Sequence, residues 1–253
     1  MPTNSDQTQT GKMPWIEGGA RVFGVIAHPA RHVRAPMVFN PHFAAAGLAH
    51  IMVPIDAAPA QLETVLNGLR AQANFGGLAV TIPHKMTIAA LCDTLGTAAL
   101  LTGAVNAVRF DADGSMHGEN FDGAGFVAGC RGNGFEVAEQ NILLLGAGGA
   151  ARAIAAALCA ANVGSLEIAN RSFEKATELA DDLRDKTGFA NVRAVPLSET
   201  DGRHADMIIN STSLGLKESD AVPLALDAVQ PETVIADIIM VPAETKWLTA
   251  AKS

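Results

Sequence analysis

The chain of 253 residues contains no tyrosine, only two tryptophans, and three cysteines, Cys92, Cys130 and Cys159, none of them in a CxxC pair. No His cluster stands near those cysteines at zinc-ligand spacing, so neither a disulfide framework nor a metal site is predicted. The thiols are expected to be reduced and buried. No apolar run approaches the roughly 20 residues needed to cross a bilayer, which excludes a membrane-spanning helix. Basic residues are outnumbered, 18 Lys and Arg against 26 Asp and Glu, for a net charge of −8 and a pI near 5.3. Nowhere do cations gather as a phosphate backbone requires, so nucleic acid is not an expected partner. The polar start, MPTNSDQTQTGKM, lacks the apolar core of a signal peptide, and a cytoplasmic protein is expected.

What is there is a folding composition: 49% apolar and 17% charged residues, with a mean hydropathy of +0.21. This is neither a disordered nor a collagen-like chain. The length suits one large domain or two small ones, and two are expected. A flexible tail is predicted over 1–19. From Arg21 onward short apolar runs alternate with segments of helical periodicity, the pattern of an α/β protein with a mostly parallel sheet. Strands are predicted at 21–27, 50–55 and 76–82, with helices at 36–47, 59–72 and about 86–96. The second of these helices carries Leu62, Val65 and Leu69 on one face. Strands at 106–110 and 115–120 flank Asp111-Ala112-Asp113-Gly114, whose Asp-Gly pair signals a hairpin. A helix from about Phe121 to Arg131 then leads into a second domain.

That domain opens on the strongest local signal in the chain. The strand NILLL (141–145) runs into Gly146-Ala147-Gly148-Gly149-Ala150-Ala151 and then an Ala-rich helix. This is a dinucleotide fingerprint: Gly146 for a tight turn, Gly148 for amides that reach a pyrophosphate, Ala151 for close helix packing. A strand over 165–169 ends at Asn170-Arg171-Ser172, with Lys175 one helical turn on. No carboxylate waits there for a ribose hydroxyl, and two cations suit a 2′-phosphate. NADP is therefore the expected cofactor, NAD the alternative; the two cations also read as an ordinary surface pair at a helix start. Strands at about 192–197, 206–210 and 233–239 complete a Rossmann-like sheet.

The motifs Val80-Thr81-Ile82-Pro83-His84-Lys85, Gly103-Ala104-Val105-Asn106, Gly118-Glu119-Asn120-Phe121-Asp122-Gly123-Ala124-Gly125, GAGGAA, Asn170-Arg171-Ser172 and Asn210-Ser211-Thr212-Ser213-Leu214-Gly215 stand in an order that resembles the shikimate dehydrogenase family. The resemblance runs from about Gly24 to Lys246. It implies an α/β substrate domain over 20–121, an NAD(P)-binding Rossmann domain over 122–239, and, over 240–253, the start of a C-terminal helix returning to the first. It also implies reversible oxidation of a cyclic polyol carboxylate, typically shikimate to 3-dehydroshikimate with NADP+, in the shikimate pathway of aromatic amino acid biosynthesis. Lys85 and Asp122 would be the catalytic pair, and Thr81 and Asn106 would hold substrate hydroxyls. The segment Ser211, Thr212 and Ser213, together with Ile238, would line the cofactor site. The residue types suit the chemistry. Oxidising a secondary alcohol needs an acceptor for the hydroxyl proton, which a tuned Lys provides, while the cofactor carries the hydride. A small-molecule substrate and a monomer or homodimer are expected.

The chain also departs from that family. Where two serines usually bind the substrate carboxylate, it has His32-Val33-Arg34-Ala35-Pro36. Each lost hydrogen bond to an anion is worth about 1.5–3 kcal/mol; Arg31 or Arg34 could grip a carboxylate instead. Ala79, Phe121 and Met240 stand where the family commonly has Asn, Thr and a substrate-contacting Tyr. The chain ends at Ser253, ahead of the family's C-terminal helices with a substrate-contacting Gln, so either a shortened chain or a pocket open on that side is expected. Two further readings stay open: the same chemistry on quinate, an amino-substituted analogue or another small polyol acid, and a non-catalytic sensor of a nucleotide or metabolite.

Overall fold

The structure, a computed structural model, describes residues 16–252. Of the tail expected over 1–19, residues 1–15 lie outside the described residues, as does Ser253. The chain forms two compact α/β units. One comprises the chain up to Gly96 together with Ala104–Glu119, the other Thr97–Gly103 and everything from Asn120 on.

The first unit holds β1 (Arg21–Ala27), β2 (His50–Asp56), β3 (Phe75–Val80), β4 (Thr94–Leu95), β5 (Ala107–Phe110) and β6 (Met116–Glu119), with α1 (Ala35–Ala45), α2 (Leu62–Arg70) and α3 (Lys85–Leu91). Its sheet runs β2-β1-β3-β5-β6-β4. β1 pairs in parallel with β2 and β3, as helical crossovers require, while β5 is antiparallel to both β3 and β6. The predicted hairpin is present, closed by Asp111 N to Ser115 O at 2.9 Å. The edge strand β2 is fastened to α1 by Asn40, whose amide bonds both the N–H (2.7 Å) and the C=O (3.0 Å) of Met52. Helix α2 buries Leu62 and Leu66, with Val65 and Leu69 partly covered.

Two sequence expectations need correction here. The helix expected to about 96 stops at Leu91 because Asp93 has better partners elsewhere: its carboxylate accepts from Met116 N (2.7 Å) and Arg70 Nη2 (2.8 Å). Those bonds, the backbone amide first, hold the Asp93 carboxyl below its ordinary range and draw the chain into β4, parallel to β6. Of the thiols expected to be buried, Cys159 is, whereas Cys92 and Cys130 are only partly covered.

The second unit contains α4 (Thr97–Thr102), α5 (Asp122–Gly132), β7 (Asn141–Leu145), α6 (Gly149–Ala160), β8 (Ser165–Asn170), α7 (Phe173–Thr187), β9 (Val192–Pro196), β10 (Met207–Asn210), β11 (Val234–Asp237) and α8 (Lys246–Ala251). Its five strands are all parallel, in the order β11-β10-β7-β8-β9. Strand β7 is buried on both faces, hence its unbroken apolar run. One face packs Ile142 and Leu144 against Ile154, Ala155 and Leu158 of α6 and Leu179 and Leu183 of α7. On the other face Leu143, Leu145 and Ile208 surround Trp247 of α8, whose Nε1 donates to Leu224 O at 2.8 Å. The C-terminal helix thus seats its largest side chain in the second unit's own core.

Candidate active site

In open α/β sheets the strand ends at the carboxyl edge of the parallel strands collect the functional loops. In the first unit that edge is stitched together by backbone hydrogen bonds. Thr81 N donates to Ile26 O (3.1 Å), His28 N to Ile82 O (3.2 Å), Val80 N to Asn106 O (2.7 Å), Asn106 N to Glu119 O (3.0 Å) and Val105 N to Lys85 O (2.9 Å). Thr81 therefore lies one residue past β3, in the strand-to-helix turn rather than inside the strand as predicted. Asn106 immediately precedes β5, and Lys85 is the first residue of α3. The intervening His84, to which the sequence reading assigned no role, is buried and donates from Nε2 to Ala57 O at 2.9 Å. It fixes the turn that carries Lys85.

Across the same edge, His28 Nδ1 lies 2.8 Å from Asp56 Oδ1, and Ala30 N donates to Asp56 Oδ2 at 3.0 Å. The Ala30 amide, and after it the His28 ring, hold the Asp56 carboxyl below its usual range. Val33 and Ala35 are partly covered; Arg34 between them is exposed. Arg31 Nε donates to His32 Nε2 at 2.9 Å.

In the second unit β7 ends in a turn that only glycine admits. Gly146 has φ +115°, and a Cβ there would lie 2.6 Å from Ser211 Oγ. Ala147 is partly covered, Gly148 is the N-cap of α6, Gly149 begins the helix, Ala150 follows it, and Ala151 is fully buried against the core. Ser211 and Thr212 use their hydroxyls to shape the neighbouring loop: Ser211 Oγ donates to Leu145 O (2.6 Å) and Thr212 Oγ1 to Asn210 Oδ1 (2.7 Å). Ser213 is exposed, and Ile238 N donates to Asn210 O at 3.2 Å.

At the end of β8, Asn170 Nδ2 donates to Ser172 O (2.9 Å). Ser172 caps α7 and donates to Glu174 Oε2 at 2.8 Å. The sequence reading missed this carboxylate; Ser172 turns it into the capping arrangement. Arg171 and Lys175 are exposed and form no ion pair among the described residues. Asp122 opens α5, and its backbone N–H is capped by Asn120 Oδ1 at 3.0 Å.

Two family models match in tandem: the shikimate dehydrogenase substrate binding domain over residues 25–108 and shikimate / quinate 5-dehydrogenase over 131–242. The chain belongs to the shikimate dehydrogenase family. It is 40% identical over 242 residues to the shikimate dehydrogenase (NADP(+)) of Rubrobacter xylanophilus, covering 94% of this chain and 84% of that protein. Among solved structures, a shikimate dehydrogenase in complex with NADP+ matches with a TM-score of 0.88 at 34% identity, over 94% of this chain and 83% of that one. A ligand-free 5-ketofructose reductase of Gluconobacter sp. strain CHM43 matches with a TM-score of 0.85 at 32% identity, over 92% and 84%.

The carboxyl edge of the second unit's sheet has room for a dinucleotide. No heavy atom lies within 4 Å of where a Cβ would stand on Gly148 or Gly149, so space is open at the N-terminus of α6, whose first turn carries no acidic residue. Open amides at a helix start are the setting that favours a pyrophosphate. Among the described residues no helix is long and apolar enough to cross a membrane, and no group of three or more His, Cys, Asp or Glu side chains could hold a metal ion.

Proposed function

We propose that this protein is an NADP-dependent dehydrogenase of the shikimate type, which interconverts a ring alcohol and the corresponding ketone of a cyclic polyol carboxylate. The observation that carries this reading is the match of both family domains, in order, to a chain 40% identical to a named NADP(+)-dependent shikimate dehydrogenase. Gly146, Ala147, Gly148, Gly149, Ala150 and Ala151 cradle the pyrophosphate. Asn170, Arg171 and Lys175 face the adenosine 2′-phosphate, and Ser211, Thr212, Ser213 and Ile238 line the remainder of the nucleotide site. Bound NADP+ supplies the hydride acceptor. Thr81 and Asn106 orient the substrate hydroxyls, Lys85 takes the hydroxyl proton as the carbonyl forms, and Asp122 is the second catalytic residue that the order of motifs assigns. The protein works in the cytoplasm, in the shikimate pathway, as a monomer or homodimer.

A second reading keeps this chemistry and changes the substrate to an uncharged polyol or keto-sugar. Val33 and Ala35 offer no hydroxyl to a carboxylate, and a structural neighbour is named for its action on 5-ketofructose. Initial rates with shikimate and quinate under NADP+ or NAD+, and with 5-ketofructose under NADPH, separate the two. Turnover of shikimate with NADP+ is the expected result. Turnover of the keto-sugar alone would establish the second reading, and no turnover of any would overturn both.

A further inference from the structure

We infer that His28, held by Asp56, is a further substrate-binding residue, the polar group that meets the substrate on the side where Val33 and Ala35 offer none. The inference rests on the dehydrogenase reading above and adds to it a residue that the motif comparison left without a role.

Ile26 of β1 lies opposite Val80 of β3, so the chain leaves both strands together, and the bonds His28 N to Ile82 O and Thr81 N to Ile26 O carry the pairing past the strand ends. His28 thus stands one strand, about 4.8 Å, from the turn that carries Thr81 and leads to Lys85. Its side chain is 45% exposed, so the ring is at the surface of this edge and not in the core.

The ring is also oriented. Asp56 uses one carboxylate oxygen on His28 Nδ1 and the other on Ala30 N, which fixes the carboxylate from both sides. An ionised carboxylate against Nδ1 places the proton there and leaves Nε2 as the outward nitrogen. Nε2 has no hydrogen-bond partner among the described residues. A neutral imidazole presents it as an acceptor for a substrate hydroxyl; a protonated one presents it as a donor to a carboxylate. The other polar groups of this corner are less suited. His32 Nε2 is occupied by Arg31, and Arg34 is an exposed side chain with no ion pair or side-chain hydrogen bond among the described residues, so ordering it on a ligand costs more entropy than engaging a ring already fixed.

Two substitutions separate the nitrogens. His28→Asn keeps a polar atom near the Nδ1 position and the link to Asp56 but loses the outward one; His28→Gln places its amide near the Nε2 position. Steady-state kinetics on the substrate that the wild type turns over best among shikimate, quinate and 5-ketofructose should show KM raised about tenfold in His28→Asn, with kcat within about threefold. Thermal midpoint and NADP+ affinity should be unchanged, and His28→Gln should recover most of the loss. Arg34→Ala should raise KM less than His28→Asn. An unchanged KM in His28→Asn would overturn the proposal, as would a joint fall of kcat, NADP+ affinity and thermal midpoint, which marks a purely structural residue. If the wild type neither turns over nor binds any of the three compounds by calorimetry, the dehydrogenase reading itself fails and this inference with it.

Discussion

Asn210 and Asp237, the last residues of the neighbouring strands β10 and β11, face each other in register and share a hydrogen bond of 3.1 Å. Asn210 is fully buried and saturated: Nδ2 also donates to Leu214 O (2.9 Å), and Oδ1 accepts from Thr212 N (3.0 Å) and Thr212 Oγ1. Asp237 accepts in turn from Ile239 N and from Thr245 Oγ1, each at 3.0 Å. Two side chains therefore hold both loops at the carboxyl edge of this sheet. Asn210→Ala strands several partly buried partners at once, each costing about 1–3 kcal/mol. Chemical denaturation should show a loss of about 2–4 kcal/mol, and NADP+ should bind more weakly. A variant with wild-type stability would refute this account of the loops.

The proposed role of Lys85 is tested by its removal. Lys85→Ala should lower kcat by about 10²–10⁴, the range of a positioned acid or base. Because the turn that leads into α3 is held by His84, and the bond from Val105 N to Lys85 O is made by the backbone, the thermal midpoint and the NADP+ dissociation constant should stay near wild type. Undiminished turnover would remove Lys85 from the mechanism.

Cofactor choice turns on Arg171. Its guanidinium forms no ion pair among the described residues, while the nearby Glu174 carboxylate is drawn back onto its own backbone amide and the Ser172 hydroxyl, which in that order hold it below the usual carboxylate range. A charge-assisted bond to a phosphate is worth about 1.5–3 kcal/mol, so Arg171→Ala should raise KM for NADP+ about tenfold or more. KM for NAD+, which has no such phosphate, should not move. Equal losses with both cofactors would show that Arg171 does not read the 2′-phosphate.

Much of this was legible because it is local. The fingerprint from Asn141 to Ala151 needs only contiguous residues, and the hairpin at Asp111–Gly114 needs only a turn. Other features rest on long-range contacts that no local pattern announces. Asp93 is pulled out of a helix by Arg70 and Met116, each 23 residues away, and Asp56 holds His28 across 28 residues. Helix α4 escaped notice because TAALLT is short and apolar with no capping signal. The roles of Lys85, Thr81, Asn106 and Asp122 came from the order of motifs, since a lone Lys or Thr carries no such information in its spacing. Glu174 was passed over because its neighbours Arg171 and Lys175 dominate the charge of that turn.

Helix α5 approaches α6 more closely than a side chain allows. A Cβ on Gly123 would lie 2.0 Å from Ala153 O and 2.8 Å from Ala157 Cβ. Gly123→Ala must therefore push the helices apart, at a cost of about 1–3 kcal/mol. Asp122 is the adjacent residue, so kcat should fall along with the midpoint of unfolding. An alanine variant as stable and as active as wild type would show that the two helices are free to separate.

The thiols offer a test that needs no mutation. Burial pushes Cys159 up to about 11 from an ordinary 9.0; burial, with the Asp93 charge adding to it, does the same for Cys92. Cys130 is raised too, by burial. At pH 8 about a tenth of an unfolded thiol is thiolate, against about a thousandth at a pKa of 11, so Cys92 and Cys159 should react with a disulfide reagent at least about 100-fold more slowly in the native protein than in guanidinium. The same shift sets the sign of the alkaline stability. Between pH 9 and 11 the folded chain keeps protons that the unfolded chain has lost, so stability should fall as pH rises through that window. Rapid native labelling of all three thiols at pH 8 would contradict the packing around Cys92 and Cys159.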